Sequence, residues 1–193
     1  MNDFEWDDYL KDPLALPEIS IKIKIIRRIE KDWIKYGYLN ENGELILHRE
    51  CGPAFIDFSN GMQMWYLNGL LHREGGPAMI FSDGAKRWFL NDELHRLNGP
   101  AAIYANGSES WFLNGKLHRK DGPAIIDSHG KKWFLNDKLN RKDGPAVIDN
   151  DGTQKWFLND KLHRLDGPAV IFEDGSEKWF INGRIRNDKL RMG

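Results

Sequence analysis

Six Gly-Pro pairs, at 52–53, 76–77, 99–100, 122–123, 144–145 and 167–168, recur along this chain, and a tryptophan follows each: Trp65, Trp88, Trp111, Trp133, Trp156 and Trp179. The period is 22 to 24 residues. A fixed period of this size marks a repeat architecture, in which each unit buries its apolar face only against its neighbours. Such a chain generates a surface before it does anything else. Trp65, Trp88, Trp111, Trp133 and Trp156 each stand 12 residues before the next Pro, whereas Pro to Trp takes 12, 11, 11, 10, 11 and 11 residues. A one-residue slip inside a strand turns every side chain to the other face. The length changes therefore belong in turns at hairpin tips, and the constant half packs against its neighbours.

The unit Leu117 to Lys138 reads LHRKDGPAIIDSHGKKWFLNDK. It carries two turn signals. The first ends at a glycine (Gly61, Gly84, Gly107, Gly130, Gly152 and Gly175), and the second is Asn-Gly or Asn-Asp at 68–69, 91–92, 114–115, 136–137, 159–160 and 182–183. These pairs tolerate the positive φ of hairpin turns. Between them lie short runs rich in Ile, Val, Trp and Phe, which favour strands. Each unit is expected to be two short antiparallel strands. At about 4.8 Å per strand, six units make a single elongated sheet about 60 Å long.

Alternation assigns the faces. The Ala-x-Ile pattern puts Ala and Ile together, and Trp88 and Leu90 share a side that Phe89 does not. Ala, Ile, Trp and Leu form the expected core face. Tyr66, Phe89, Phe112, Phe134, Phe157 and Phe180 form a row on the other. Beside them stand residues that vary between units: Phe81, Tyr104, Asp127, Asp149 and Phe172 on the first strand, and Met64, Arg87, Ser110, Lys132, Lys155 and Lys178 on the second.

The run Trp111-Phe112-Leu113-Asn114-Gly115-Lys116-Leu117-His118, followed by Gly122 and Gly130, resembles the MORN-repeat family. The His-Arg-x-x-Gly-Pro-Ala signature looks like a bacterial and viral variant of it, with Trp-Phe-Leu in place of Tyr-x-Gly-x-Trp and Gly-Pro-Ala in place of Gly-x-Gly. The resemblance covers about residues 40 to 187. It implies an all-β sheet of six antiparallel hairpins used as a scaffold or protein-binding platform, without catalytic activity of its own.

The repeat decays at both ends. Tyr38 to His48 reads as a half-unit with about two extra residues, and Arg186-Asn187 stand where His-Arg is expected. Residues 1–37 form a separate cap. From Glu18 to Tyr36, Ile19, Ile23, Ile26, Ile29, Trp33 and Tyr36 share a helical stripe that Gly37 ends, although Ile19 to Ile25 also alternates like a strand. This basic helix caps the first hairpin; a partner contact and a membrane-surface role for Lys22, Lys24, Arg27, Arg28, Lys31 and Lys35 are alternatives. The hairpin domain then covers 38–193, with units near 47–70, 71–93, 94–116, 117–138, 139–161 and 162–184.

Net charge is −1, which argues against a non-specific nucleic-acid binder. The single cysteine, Cys51, fits a reducing compartment. The acidic start lacks a secretory h-region, and no apolar run approaches the roughly 18 residues of a membrane helix. A cytoplasmic location is expected.

Candidate chemistry is sparse. His48, His72, His95, His118 and His163 each precede an Arg. Equivalent residues about 10 Å apart cannot converge on one zinc, whose Zn–N distances are about 2 Å. The plain reading is a His bonded in a turn and an Arg paired with acids such as Asp121, Asp143 or Asp166. Arg49, Arg73, Arg96, Arg119, Arg141 and Arg164 are the candidates for an anion-binding stripe. Asp149-Asn150-Asp151-Gly152 echoes a calcium loop without its remaining ligands. No catalytic motif is present, and neither a cofactor nor a metal is expected.

Residues that break the repeat are the better functional candidates. They include Asn140 in place of His, His129, Gly75, Arg87, Phe81, Tyr104, Asp127, Asp149 and Phe172. The expectation is a non-enzymatic module that binds a protein partner through the aromatic row and its variable flanks. With a viral source the partner would be a host protein, and pairing with a second copy through the same face is an alternative. Further alternatives are a small-anion or nucleotide binder using the Arg ladder and a phospholipid binder using the N-terminal helix.

Overall fold

The structure, a computed structural model, describes residues 26–186. The described residues are all β, with no helix. Their main feature is an elongated antiparallel sheet of 15 strands, built as a run of hairpins laid side by side. It opens with β1 (Ile26–Glu30) and β2 (Trp33–Leu39), to which β3 (Leu45–Leu47) also pairs. Each later unit adds one hairpin, such as Ala102–Ile103 with Glu109–Ser110.

Each unit also carries a second hairpin, outside the long sheet. Phe112–Leu113 pairs with Lys116–Leu117, and the same arrangement gives six two-stranded sheets. A unit thus holds four short strands, not the two expected. The tryptophan is the junction. Trp111 N–H donates to Ala124 C=O across the long sheet at 2.7 Å, and Trp111 C=O accepts His118 N–H from its own small hairpin at 3.0 Å. The chain turns back at an Asn in the left-handed region, as at Asn91 (φ 51°) and Asp92 (φ 65°), where two positive φ values make the tight turn that suits a two-residue hairpin. Neighbouring small hairpins are joined by two backbone bonds, such as Arg96 N–H to Phe112 C=O at 3.1 Å and Gly115 N–H to Leu94 C=O at 2.9 Å.

The shortened unit takes up its deletion at the hairpin tip, as expected. Ile125–Asp127 pairs directly with Gly130–Lys132 around Ser128 and His129. A Cβ at Gly130 would collide with the Ile148 carbonyl, so the tight tip requires glycine there.

The helix expected over Glu18–Tyr36 is absent from its described part. Residues 18–25 lie outside the described residues, and 26–36 form the β1–β2 hairpin around Lys31 and Asp32. Ile-rich, β-branched sequence suits a strand, and β2 is the strand that pairs with Phe55–Asp57. A helix would leave that edge unpaired. Ile34 lies opposite both Ile29 and Ile56 and is only 7% exposed. The sheet therefore begins at least by Ile26, not at residue 38. An amphipathic basic helix for a membrane surface has no basis over these residues.

The core is thin: a column of alanines on one face, with Ala102, Val147 and Val170 also buried on the other. Ala54, Ala78, Ala101, Ala124, Ala146 and Ala169 are fully buried, one per unit. They share a sheet face with Ile56, Ile80, Ile103, Ile126, Ile148 and Ile171, as alternation predicts.

Candidate functional site

The residues that repeat hold one another. The Arg of every His-Arg pair, and Arg141 of Asn140-Arg141, lies over an aromatic ring: Arg49 on Tyr36, then Arg73, Arg96, Arg119, Arg141 and Arg164 on Trp65, Trp88, Trp111, Trp133 and Trp156, with Cζ 3.9–4.1 Å from the ring centroid. Each also donates from Nη1 to the carbonyl of the Gly-Pro proline four residues on, at 3.0–3.3 Å. The glycine before that proline covers the guanidinium closely. A Cβ on Gly122 would stand 2.8 Å from Arg119 Cζ, and one on Gly167 2.7 Å from Arg164 Cζ. The Gly-Pro pair is thus one wall of an arginine clamp and Trp the other. Among the described residues, these arginines pair with acids at Arg119–Asp121 and Arg164–Asp166 alone.

The histidines bridge successive small hairpins. Nδ1 of His72, His95, His118 and His163 lies 2.6–2.9 Å from Oδ1 of Asn91, Asn114, Asn136 and Asn182, the turn asparagine of the next small hairpin. His48 Nδ1 instead accepts the Asn68 N–H at 3.1 Å. Asn140 breaks the pattern in sequence but not in geometry, because its Nδ2 donates to Asn159 Oδ1 at 2.7 Å. It keeps the bridge with a smaller side chain. Among the described residues, no three His, Cys, Asp or Glu side chains are grouped to hold a metal ion.

The aromatic row does not lie on the second face of the long sheet. Tyr66, Phe89, Phe112, Phe134, Phe157 and Phe180 begin the small hairpins, each opposite a hydrophobic residue such as Leu94 or Leu117, and all are half-buried. The strand that was to carry both Trp and Phe is interrupted at Trp, which removes the Phe from the alternation of the sheet. Burial raises the Tyr66 phenol above its usual pKa, with the Asp92 charge adding to it.

Other candidates are brought together. Pairing across the long sheet places Phe55, Met64, Met79, Arg87, Ala102, Ser110, Ile125, Lys132, Val147, Lys155, Val170 and Lys178 in one register row. Directly opposed residues share a face. Phe81, Tyr104, Asp127, Asp149 and Phe172 lie two residues along and join the same face. Arg87 Cζ is 5.1 Å from the Phe81 ring and 5.6 Å from the Tyr104 ring. Lys178 lies over Phe172 at 5.1 Å, and Lys155 is paired with Asp149 at 2.6 Å. This face varies at nearly every position. The opposite face keeps isoleucine in all six units and varies only at Gln63, Lys86, Glu109, Lys131, Gln154 and Glu177.

The loops bearing the clamps line an edge. Between Arg119–Gly122 and Asn140–Asp143 lies an open cleft of about 350 Å³, with Trp133 and Leu135 in its lining. His129 and Gly75 lie in exposed turns, and Cys51 is exposed. At the hairpin tips, Asp57 and Asp174 are held below the usual carboxylate range by hydrogen bonds from Ser59 and Ser176, and Asp151 by the Thr153 backbone N–H.

Sequence reasoning missed Tyr36. It occupies the tryptophan position of the first unit: its N–H donates to Ala54 C=O at 2.8 Å, and its C=O accepts His48 N–H at 3.0 Å. The missing signal was spacing, since Tyr36 precedes His48 by 12 residues where Trp65 precedes His72 by 7. The excursion around Asn40–Glu44 absorbs the difference. At the other end Arg186 takes the histidine position, its N–H on Trp179 C=O at 2.8 Å.

No protein-family model matches the chain, and no curated protein is significantly similar to it.

Proposed function

We propose that the chain is a non-enzymatic, MORN-like repeat scaffold that binds a protein partner through the variable face of its long sheet. One observation carries the reading. The side chains that repeat are occupied with one another, in Arg–Trp clamps and His–Asn bridges, whereas most of the strand positions that vary between units are collected on one face. A repeat that conserves its frame and varies one surface is suited to recognition by shape and charge. Phe81, Arg87 and Tyr104 are the aromatic-cationic anchor of that surface, with Phe172 and Lys178 a second one further along. Tyr, Phe and Arg are the residue types that dominate binding energies at such contacts. Among the described residues no helix is long and apolar enough to cross a membrane; a cytoplasmic protein partner, a host protein if the source is viral, is part of the proposal.

The test compares three proteins as bait in the source lysate: the parent chain, a variable-face variant (Tyr104→Ser with Lys155→Ser) and an opposite-face variant (Lys86→Ser with Glu109→Ser). All three must first show matching melting curves. Loss of a captured protein from the variable-face bait alone supports the assignment. Retention by both variants removes the sheet face from the site.

A further inference from the structure

We infer that the cleft between the loops 119–122 and 140–143 is a carboxylate-binding site, with Arg141 as its anchor. The clamp fixes each guanidinium on one face by the ring and on Nη1 by the proline carbonyl, so the Nε edge is the part left to other partners. In two units that edge already holds a carboxylate. Arg119 Nε donates to Asp121 Oδ1 at 3.3 Å, and Arg164 Nε to Asp166 Oδ1 at 3.1 Å. Arg141 has an aspartate at the same spacing, Asp143, yet makes no such bond, and its Nε has no acceptor among the described residues. The two neighbours therefore display the ligand chemistry that Arg141 leaves open.

Three features of the cleft favour the same ligand. Arg119, Lys120, Arg141 and Lys142 outnumber the two carboxylates of the lining, Asp121 and Asp143, and Trp133 and Leu135 offer apolar surface to a short carbon chain. Asn140 keeps the bridge to the next small hairpin but is smaller than the histidine found in the other repeats, which leaves room on the Arg141 side. A planar carboxylate matches the Nε–Nη2 fork with two parallel bonds. The guanidinium is already immobilised on Trp133, so little side-chain entropy remains to be lost on binding. The ligand is a free dicarboxylate or an acidic side chain of a bound protein. The site does not depend on the sheet face proposed above, and either reading stands if the other fails.

Arginine Nε–Hε resonances of the full chain report on this edge directly. The chain is titrated with sodium malonate and, separately, with an N-acetylated, C-amidated glycyl-glutamyl-glycine peptide, at constant ionic strength set with chloride. The Arg141 signal, assigned by its loss in Arg141→Lys, is expected to shift saturably while those of Arg119 and Arg164 stay still. Asp121→Asn is expected to make Arg119 respond as well. Asn140→His, which retains the bridge, is expected to weaken binding by about fivefold or more. A response to malonate alone identifies a free dicarboxylate, and a response to both probes an acidic side chain. Silence of the Arg141 signal, equal shifts at all the arginines, or unchanged affinity in Asn140→His overturns the assignment.

Discussion

The Arg96 guanidinium lies 3.9 Å from the centre of the Trp88 ring, and on its other side a Cβ at Gly99 would come within 2.9 Å of Arg96 Cζ. Two recurring sequence elements eleven residues apart, Trp and Gly-Pro, are thus the two walls of one arginine site. The proline contributes its carbonyl, which accepts Arg96 Nη1 at 3.1 Å. Repetition of this clamp links each small hairpin to the loop that returns the chain to the long sheet.

Gly122→Ala tests the clamp where backbone strain plays no part, because Gly122 does not have a positive φ. The new Cβ displaces Arg119 from Trp111, and a loss of about 1 kcal/mol is expected, the size of a partly exposed cation–π contact. In an Arg119→Ala background the same glycine change should cost much less. Urea unfolding of the four proteins of this cycle gives the coupling, and full additivity would refute the clamp as the cause.

His95 and Asn140 perform the same bridging bond, to Asn114 and Asn159. His95→Asn is therefore expected to retain most of the stability that His95→Ala loses, about 1 kcal/mol for a net hydrogen bond. Thermal melts of the two variants decide it; equal losses would mean that ring packing, not the bridge, is what His95 supplies.

Asp137 stands at φ 64° and its carboxylate accepts the Leu117 N–H of the preceding small hairpin at 2.8 Å. Gly115 and Gly183 occupy the same turn position without that bond. Asp137→Gly relieves left-handed strain while losing an acceptor, so the net change is expected within about 1 kcal/mol. Asp137→Ala loses the acceptor and keeps the strain, with a cost of about 1–2 kcal/mol. Chemical unfolding should rank alanine clearly below glycine.

Asp57, Asp151 and Asp174 are depressed by hydrogen bonds to their carboxylates in the tip turns. A folded-state pKa below the unfolded one contributes stability above the unfolded value, lost as pH falls through the folded value. Stability should therefore be flat with respect to these groups near neutrality and decline from about pH 4 downward. Replacing all three by Asn should flatten that decline in pH-dependent melts, and an unchanged acid limb would show that other carboxylates govern it.

Legibility in the sequence followed the range of the forces involved. Asn-Gly, Asn-Asp and the tip glycines mark positive φ, a property of one or two residues, and every such turn is where the sequence places it. The deletion at Ser128–His129 was equally readable, because an odd slip inside a paired strand is costly. Asn140 stood out in the sequence as an exception, but its bond to Asn159 shows that it preserves the bridge. The N-terminal hairpin was not readable: the spacing of Ile23, Ile26, Ile29, Trp33 and Tyr36 satisfies a helical period, and only the unpaired edge of Phe55–Asp57 decides for a strand.

By itself, the sequence determined the six-fold period, the all-β class, the turn positions and the shared face of Ala, Ile and Trp, because periodicity and local backbone preference are written residue by residue; the leucines expected on that face, Leu90, Leu113, Leu135 and Leu158, lie instead in the small hairpins. The tertiary structure alone decided that the second strand breaks at Trp111 and its equivalents, since that depends on Trp111 donating to Ala124 of the next unit while its carbonyl serves its own His118. That division moves Phe112 and its counterparts into half-buried small hairpins, stacks each arginine on a ring, and leaves Phe81, Arg87 and Tyr104 as the aromatic cluster of the sheet. Contacts between residues 6 to 17 positions apart, brought together by the turns and by pairing between hairpins, set these outcomes, and alternation along one strand carries no information about them.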